Sequence, residues 1–123
     1  MSDVKTLPNG MKLSEALRIG WTKYGQYTNW NGWTNNPVNP LVATEVCAIS
    51  AIGYAVLGHP ASGAVDLAQL QILSETVPQH WLQDLDHSFP GWKVDVATYL
   101  VLLNDKMKLS AETIIELLEA KGN

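Results

Sequence analysis

Cys47 is the only cysteine in the chain and the side chain best suited to nucleophilic chemistry. It lies in an apolar segment that reads as a helix, and a thiol near a helix start is favoured as the reactive thiolate. A catalytic cysteine also needs a base and a group that orients the base. The candidate bases are His59, His80 and His87, and the candidate orienting group is Asn104 or Asp105, although nothing in the sequence places them beside Cys47. The alternative interpretation is a small apolar side chain in the core.

A second candidate constellation is a metal site formed by His80, Asp84 and His87. If residues 79–88 form an α-helix, spacings of four and three place these side chains on one face. Three nitrogen or oxygen ligands can hold a zinc ion that keeps an open position for catalysis. The competing interpretation is a solvated polar face, so no metal or other cofactor is expected.

The most distinctive local pattern is an aromatic, amide-rich stretch around Asn31-Gly32. Asn-Gly favours a two-residue hairpin turn, because both turn positions need positive φ. The pattern predicts a β-hairpin over residues 26–35, with two tryptophans facing each other across it. Rigid aromatic rings beside adaptable amides suit recognition of a ligand or protein surface. The candidate contact residues are Tyr27, Asn29, Trp30, Asn31, Trp33 and Asn35.

The apolar periodicity elsewhere predicts a mainly α fold, a compact bundle of five or six short helices around a central apolar helix. That central helix is expected over residues 41–58, beginning at Asn39 or Thr44 and ending at Gly58. Asp95 and Ser110 are placed to cap two later helices. The other helices are expected over residues 11–24, 63–76, 79–88, 94–103 and 111–121, so residues 1–10 form an N-terminal extension and 11–123 a single domain.

Composition excludes several classes of protein. The chain has 123 residues, 46% of them hydrophobic, which is enough for one domain with its own core. Its net charge of −4 argues against a nucleic-acid binder and against a basic membrane anchor. No signal-peptide pattern is evident and there is one cysteine, so a reducing, cytoplasmic setting is expected. No phosphate-binding loop, Ser-His-Asp signature or zinc-type Cys/His spacing occurs.

Four short motifs in a fixed order carry a family resemblance. They are Gly20-Trp21-Thr22, Cys47-Ala48-Ile49-Ser50-Ala51-Ile52, Leu103-Asn104-Asp105 and the stretch from Ser110 to Leu118. This order resembles a domain-of-unknown-function family of small proteins from actinobacteria and their phages. The chain departs from that family at Ser50, where the family favours glycine, and in a longer insert around residues 74–92. The resemblance implies a mostly helical single domain and a phage or prophage setting, and it brings no catalytic residues.

These observations together favour a small non-enzymatic binding protein. It would engage a host protein or sequester a small ligand through the aromatic hairpin. The resemblance alone implies a phage-associated protein in the host cytoplasm with a counter-defence or host-takeover role. Nucleic acid and membranes are not expected partners. Two alternatives stay open: a Cys47-dependent acyl-transfer enzyme or hydrolase, and a structural oligomer without ligand. A homodimer would also cover exposed tryptophans.

Overall fold

Helices make up most of the computed structural model, which describes residues 4–28, 44–61, 64–85 and 93–123. The mainly α fold class is therefore confirmed. Within those ranges the short helical turns are two 3₁₀ segments, Gln71–Ser74 and Gln79–Asp84, and a π-helical turn, Leu102–Lys106. The α-helices are α1 (Leu13–Lys23), α2 (Ala48–Leu57), α3 (Ala64–Gln69), α4 (Val96–Val101) and α5 (Ala111–Ala120).

The small β element in the described chain is a parallel pair. Strand β1 (Gly25–Gln26) lies beside strand β2 (Glu45–Val46), with Gln26 opposite Val46. Residues 29–35 of the expected hairpin lie outside the described residues, so the hairpin stays a prediction.

The central helix α2 starts later than the sequence indicated. Its N-cap residue is Cys47 and not Thr44, and Asn39 lies outside the described residues. Residues 45–46 are instead extended, because β1 pairs with them through backbone hydrogen bonds such as Tyr27 N to Val46 O at 2.9 Å. The expected end is confirmed, since Gly58 adopts φ 87° as the C-cap. Among the described helices, none has the length and apolar character needed to cross a bilayer.

Helix α1 crosses α2 at unusually close range. A Cβ added at Gly20 would lie 2.3 Å from the backbone oxygen of Ala51. Ala16, Leu17 and Gly20 on α1 are buried, as is Ala51 on α2. Only glycine permits this approach, so Gly20 is a packing residue.

The helices predicted over residues 11–24 and 111–121 are confirmed as α1 and α5, whereas three others are correct in place but differ in type. The segment 63–76 divides into α3 and a 3₁₀ turn, and the segment 79–88 is 3₁₀ over its described part. The segment 94–103 begins as α4 and widens into the π-helical turn. Asp95 and Ser110 are confirmed as caps, because each side chain accepts a hydrogen bond from a backbone N–H three residues later.

The two described ends of the chain lie together. Asn123 is fully buried, and its carbonyl oxygen accepts a hydrogen bond of 2.6 Å from the Ser14 N–H in the first turn of α1. Its side-chain oxygen accepts one from the Lys5 N–H, and Leu7 is buried as well. Residues of the predicted N-terminal extension are thus packed onto the helical domain.

Candidate functional site

Cys47 lies in the core at the start of α2. Its side chain is 1% exposed, and its thiol donates a hydrogen bond to the Ser50 hydroxyl at 3.7 Å. Ser50 in turn donates to the Ala61 carbonyl at 2.8 Å, which fixes its position. Burial raises the pKa of the Cys47 thiol, and this outweighs the hydrogen bonds from Ser50 and Ile49 that lower it. The environment favours the neutral thiol, which is the poorer nucleophile.

Asn104 is held inside the fold by a polar cluster. Its side-chain oxygen accepts from Gln26 Nε2 at 2.8 Å, and its amide nitrogen donates to the Tyr27 carbonyl at 2.9 Å. The same nitrogen donates to the Asp105 carboxylate at 2.5 Å. The π-helical turn carries Asn104, which therefore joins this turn to β1. Its hydrogen bonds account for a structural role.

Asp105, a predicted orienting group, is close enough to Cys47 for its charge to affect the thiol. Burial raises the pKa of the Asp105 carboxyl, while the Asn104 hydrogen bond and the Lys108 charge lower it. Its negative charge raises the pKa of the Cys47 thiol further. The structure thus brings Cys47, Asn104 and Asp105 into one region, but Asp105 acts against formation of a thiolate.

His59 does not join this region, which corrects the predicted Cys47–His59 pair. It follows the C-cap of α2, whereas Cys47 precedes the first residue, so the helix separates them by about 15 Å. The His59 ring contacts the Pro60 carbonyl at 3.1 Å and lies 4.0 Å from the Asp66 carboxylate. His59 therefore cannot act as the base for the Cys47 thiol.

His80 and Asp84 point to different sides of their segment. It is a 3₁₀ helix, in which residues three apart share a face and residues four apart do not. Asp84 is also engaged elsewhere, accepting from Tyr99 Oη and pairing with Lys121 Nζ, both at 2.5 Å. His87 lies outside the described residues, so the full set remains a prediction. In the ranges that the structure covers, no three His, Cys, Asp or Glu side chains cluster as metal ligands.

The aromatic contact set is described only at Tyr27. Tyr27 is half-buried, and its backbone bonds to Val46 and Asn104 anchor it beside β2. The binding role of this stretch stays a prediction. The residues outside the described ranges are Asn29, Trp30, Asn31, Trp33 and Asn35.

An open groove along α1 and α5 is the feature that sequence reasoning missed. It has a volume of about 620 Å³, and Ile19 and Tyr54 supply its apolar surface. Ile19 is 42% exposed on a helix face that is otherwise polar. In the sequence, this single apolar residue on the polar face of α1 was the available indication of the groove. The other residues that line the groove are Glu15, Arg18, Thr22, Lys23 and Glu119.

A smaller cleft of about 280 Å³ extends the groove toward the start of α1. Glu15 and Glu119 line both, and Lys12 and Asn123 line only the cleft. We call the two together the α1–α5 groove. It runs along the full length of α1.

Charges in the α1–α5 groove are partly paired. Arg18 lies 3.3 Å from the Glu119 carboxylate and 3.5 Å from that of Glu112. Glu15 accepts a hydrogen bond of 3.2 Å from the Lys12 backbone N–H. These pairs are exposed to solvent and contribute little stability. They leave a surface with polar groups around an apolar centre.

Comparisons with known proteins found no matching family model, curated protein or solved structure. The family resemblance carried by the four motifs therefore stays a hypothesis. The candidate sites depend on their own geometry.

Proposed function

We propose that this chain is a small non-catalytic binding protein that engages another protein through the α1–α5 groove. The observation that carries the proposal is that the exposed Ile19 and the Tyr54 ring line the same groove, with charged side chains as its rim. An apolar centre with a polar rim is the usual anatomy of a protein interface. The resemblance adds a phage-associated setting and a host protein as partner.

Sequestration of a small ligand is the second version of this proposal. The groove's volume of about 620 Å³ is within the range of small-molecule sites, about 300–1,000 Å³. An open groove that follows α1 from Lys12 to Lys23 fits an elongated partner better than it fits a ligand that must be enclosed. We therefore favour the protein partner.

The surroundings of Cys47 weigh against the rival enzyme. An acyl-transfer enzyme or hydrolase needs an accessible thiolate and a base within hydrogen-bond reach. Cys47 is buried, its pKa is raised, and His59 lies at the other end of α2. Each of these features lowers the reactivity that such an enzyme requires.

Native mass spectrometry of the protein purified from its own host tests the proposal. We expect an added mass of protein size, lost in the Ile19→Glu variant, because a buried carboxylate opposes binding. Val65→Glu is the matched control, since Val65 is 75% exposed and lies on α3, outside the groove. Adducts of metabolite size would favour sequestration, and a dimer without other mass would favour the structural oligomer.

A Trp30→Ala/Trp33→Ala variant tests the aromatic stretch separately. Loss of the same added mass in this variant, with unchanged helical circular dichroism, would assign partner contact to the aromatic stretch as well. Retention of the mass would restrict contact to the α1–α5 groove. A bare protein in every sample would contradict the proposed function.

A further inference from the structure

Two lysines mark the ends of the α1–α5 groove. Lys12 lines the small cleft and Lys23 the large one, and both are exposed. Lys12 is the N-cap residue of α1 and Lys23 its last residue, eleven positions or three helical turns later, so they lie on one side about 16 Å apart. Neither ammonium group has a salt-bridge partner among the residues that the structure describes.

The middle of the groove has the opposite character. Ile19 and Tyr54 form its apolar part, and the Tyr54 ring is fixed edge-to-face against Tyr24 at 5.3 Å. Two carboxylates, Glu112 and Glu119, share the single guanidinium of Arg18. The centre is therefore apolar with carboxylates beside it, and each end carries one ammonium group, with Glu15 and Glu119 also lining the cleft at the Lys12 end.

We propose that the groove binds an amphipathic α-helix of another protein that carries acidic residues about eleven positions apart and apolar residues between them. Residues eleven apart in a partner helix also lie on one face, so two carboxylates reach both ammonium groups at once. Helices seated in grooves present apolar anchors at spacings of three and four, which suits the length between the lysines. The inference rests on the proposed function and specifies its partner.

Charge complementarity decides which helices fit. A partner with acidic residues at its centre would face Glu119, which lines the groove, and be repelled. A partner with basic ends would face Lys12 and Lys23 and be repelled there. Like charges brought together at an interface discriminate against the wrong partners.

Two synthetic helical peptides test the inference on the full-length protein. Both carry the same central leucines, and they differ in having glutamate or lysine at two positions eleven apart. We expect the glutamate peptide to bind about tenfold more tightly in a fluorescence anisotropy titration at low salt, since each exposed pair changes affinity by about two- to fivefold. The difference should shrink at high salt because of screening.

Variants of the protein test whether the two lysines cause the preference for the glutamate peptide. Lys12→Glu/Lys23→Glu should reverse the preference between the peptides. Lys93→Glu/Lys106→Glu is the matched control, with the same change in net charge at exposed positions that do not line the groove. Its preference for the glutamate peptide should be unchanged.

Contrary outcomes are distinguishable. Equal binding of both peptides would overturn the charge pattern, and binding of neither would overturn the helical occupant. A protein that dimerises through Ile19 and binds neither peptide would assign the groove to a second copy. In the first two cases, a protein-sized mass of another protein, lost in Ile19→Glu, would still support the proposed function, whereas a dimer lost in Ile19→Glu would favour the structural oligomer.

Discussion

At Cys47 two local effects on the thiol oppose each other. Its position before the first turn of α2 supplies hydrogen bonds that favour the thiolate, and burial favours the neutral thiol. Burial is the larger effect, so we expect native protein to resist iodoacetamide at pH 7 to 8.5 and to react once urea unfolds it. Mass spectrometry of the labelled protein measures this. Rapid labelling of the native state at neutral pH would restore the enzyme hypothesis.

Asp105 gives a prediction with a defined pH dependence. Burial raises the pKa of its carboxyl above the ordinary value of 3.8. At pH values between 3.8 and the raised pKa, the folded state therefore binds more protons than the unfolded state. Wild-type stability therefore falls as the pH rises through this window and stays lower above it. Asp105→Asn does not titrate and keeps an acceptor for Asn104, so its stability relative to wild type should rise across the window.

Urea unfolding of both proteins between pH 3.5 and 7 measures that difference. Other titrating groups are common to the two proteins and cancel in the comparison. A stability difference that is constant with pH would show that the Asp105 carboxyl is not perturbed in the folded state.

At the level of elements, Gly20 sets the distance between α1 and α2. An added Cβ would meet the Ala51 backbone, which cannot rotate away as a side chain does. Overpacking of this kind costs about 1–3 kcal/mol, which exceeds the helix propensity of about 1 kcal/mol that alanine would gain. We expect Gly20→Ala to lower the free energy of unfolding and the exposed Thr22→Ala to leave it nearly unchanged. A stabilised Gly20→Ala protein would contradict the close crossing.

Local signals in the sequence were sufficient for three helix ends. Asp95, Ser110 and Gly58 act through hydrogen bonds or φ values within a few residues, so their roles can be predicted without the fold. The start of α2 could not be predicted in this way, because the pairing of Glu45–Val46 with Gly25–Gln26 depends on residues twenty positions away. The groove was also beyond the sequence, since it exists only where α1, α2 and α5 pack together.

At the scale of the whole molecule, Asn123 joins the two described ends of the chain. Its side chain accepts from the Lys5 N–H and donates to the Lys121 carbonyl at 3.0 Å, and it is fully buried. Removing a buried partner costs about 1–3 kcal/mol, so Asn123→Ala should lower the free energy of unfolding by about that amount. Equilibrium urea unfolding measures the change. A loss of a few tenths of a kcal/mol would show that this junction contributes little to the fold.

The binding face itself is tested most directly by photocrosslinking in the cells from which the chain comes. A benzophenone amino acid replaces Thr22, an exposed residue of the α1–α5 groove, or Val65, which is exposed on α3. We expect a discrete protein adduct from position 22 and none from position 65. Adducts of equal yield from both positions, or from position 65 alone, would contradict the assignment of the groove as the binding surface.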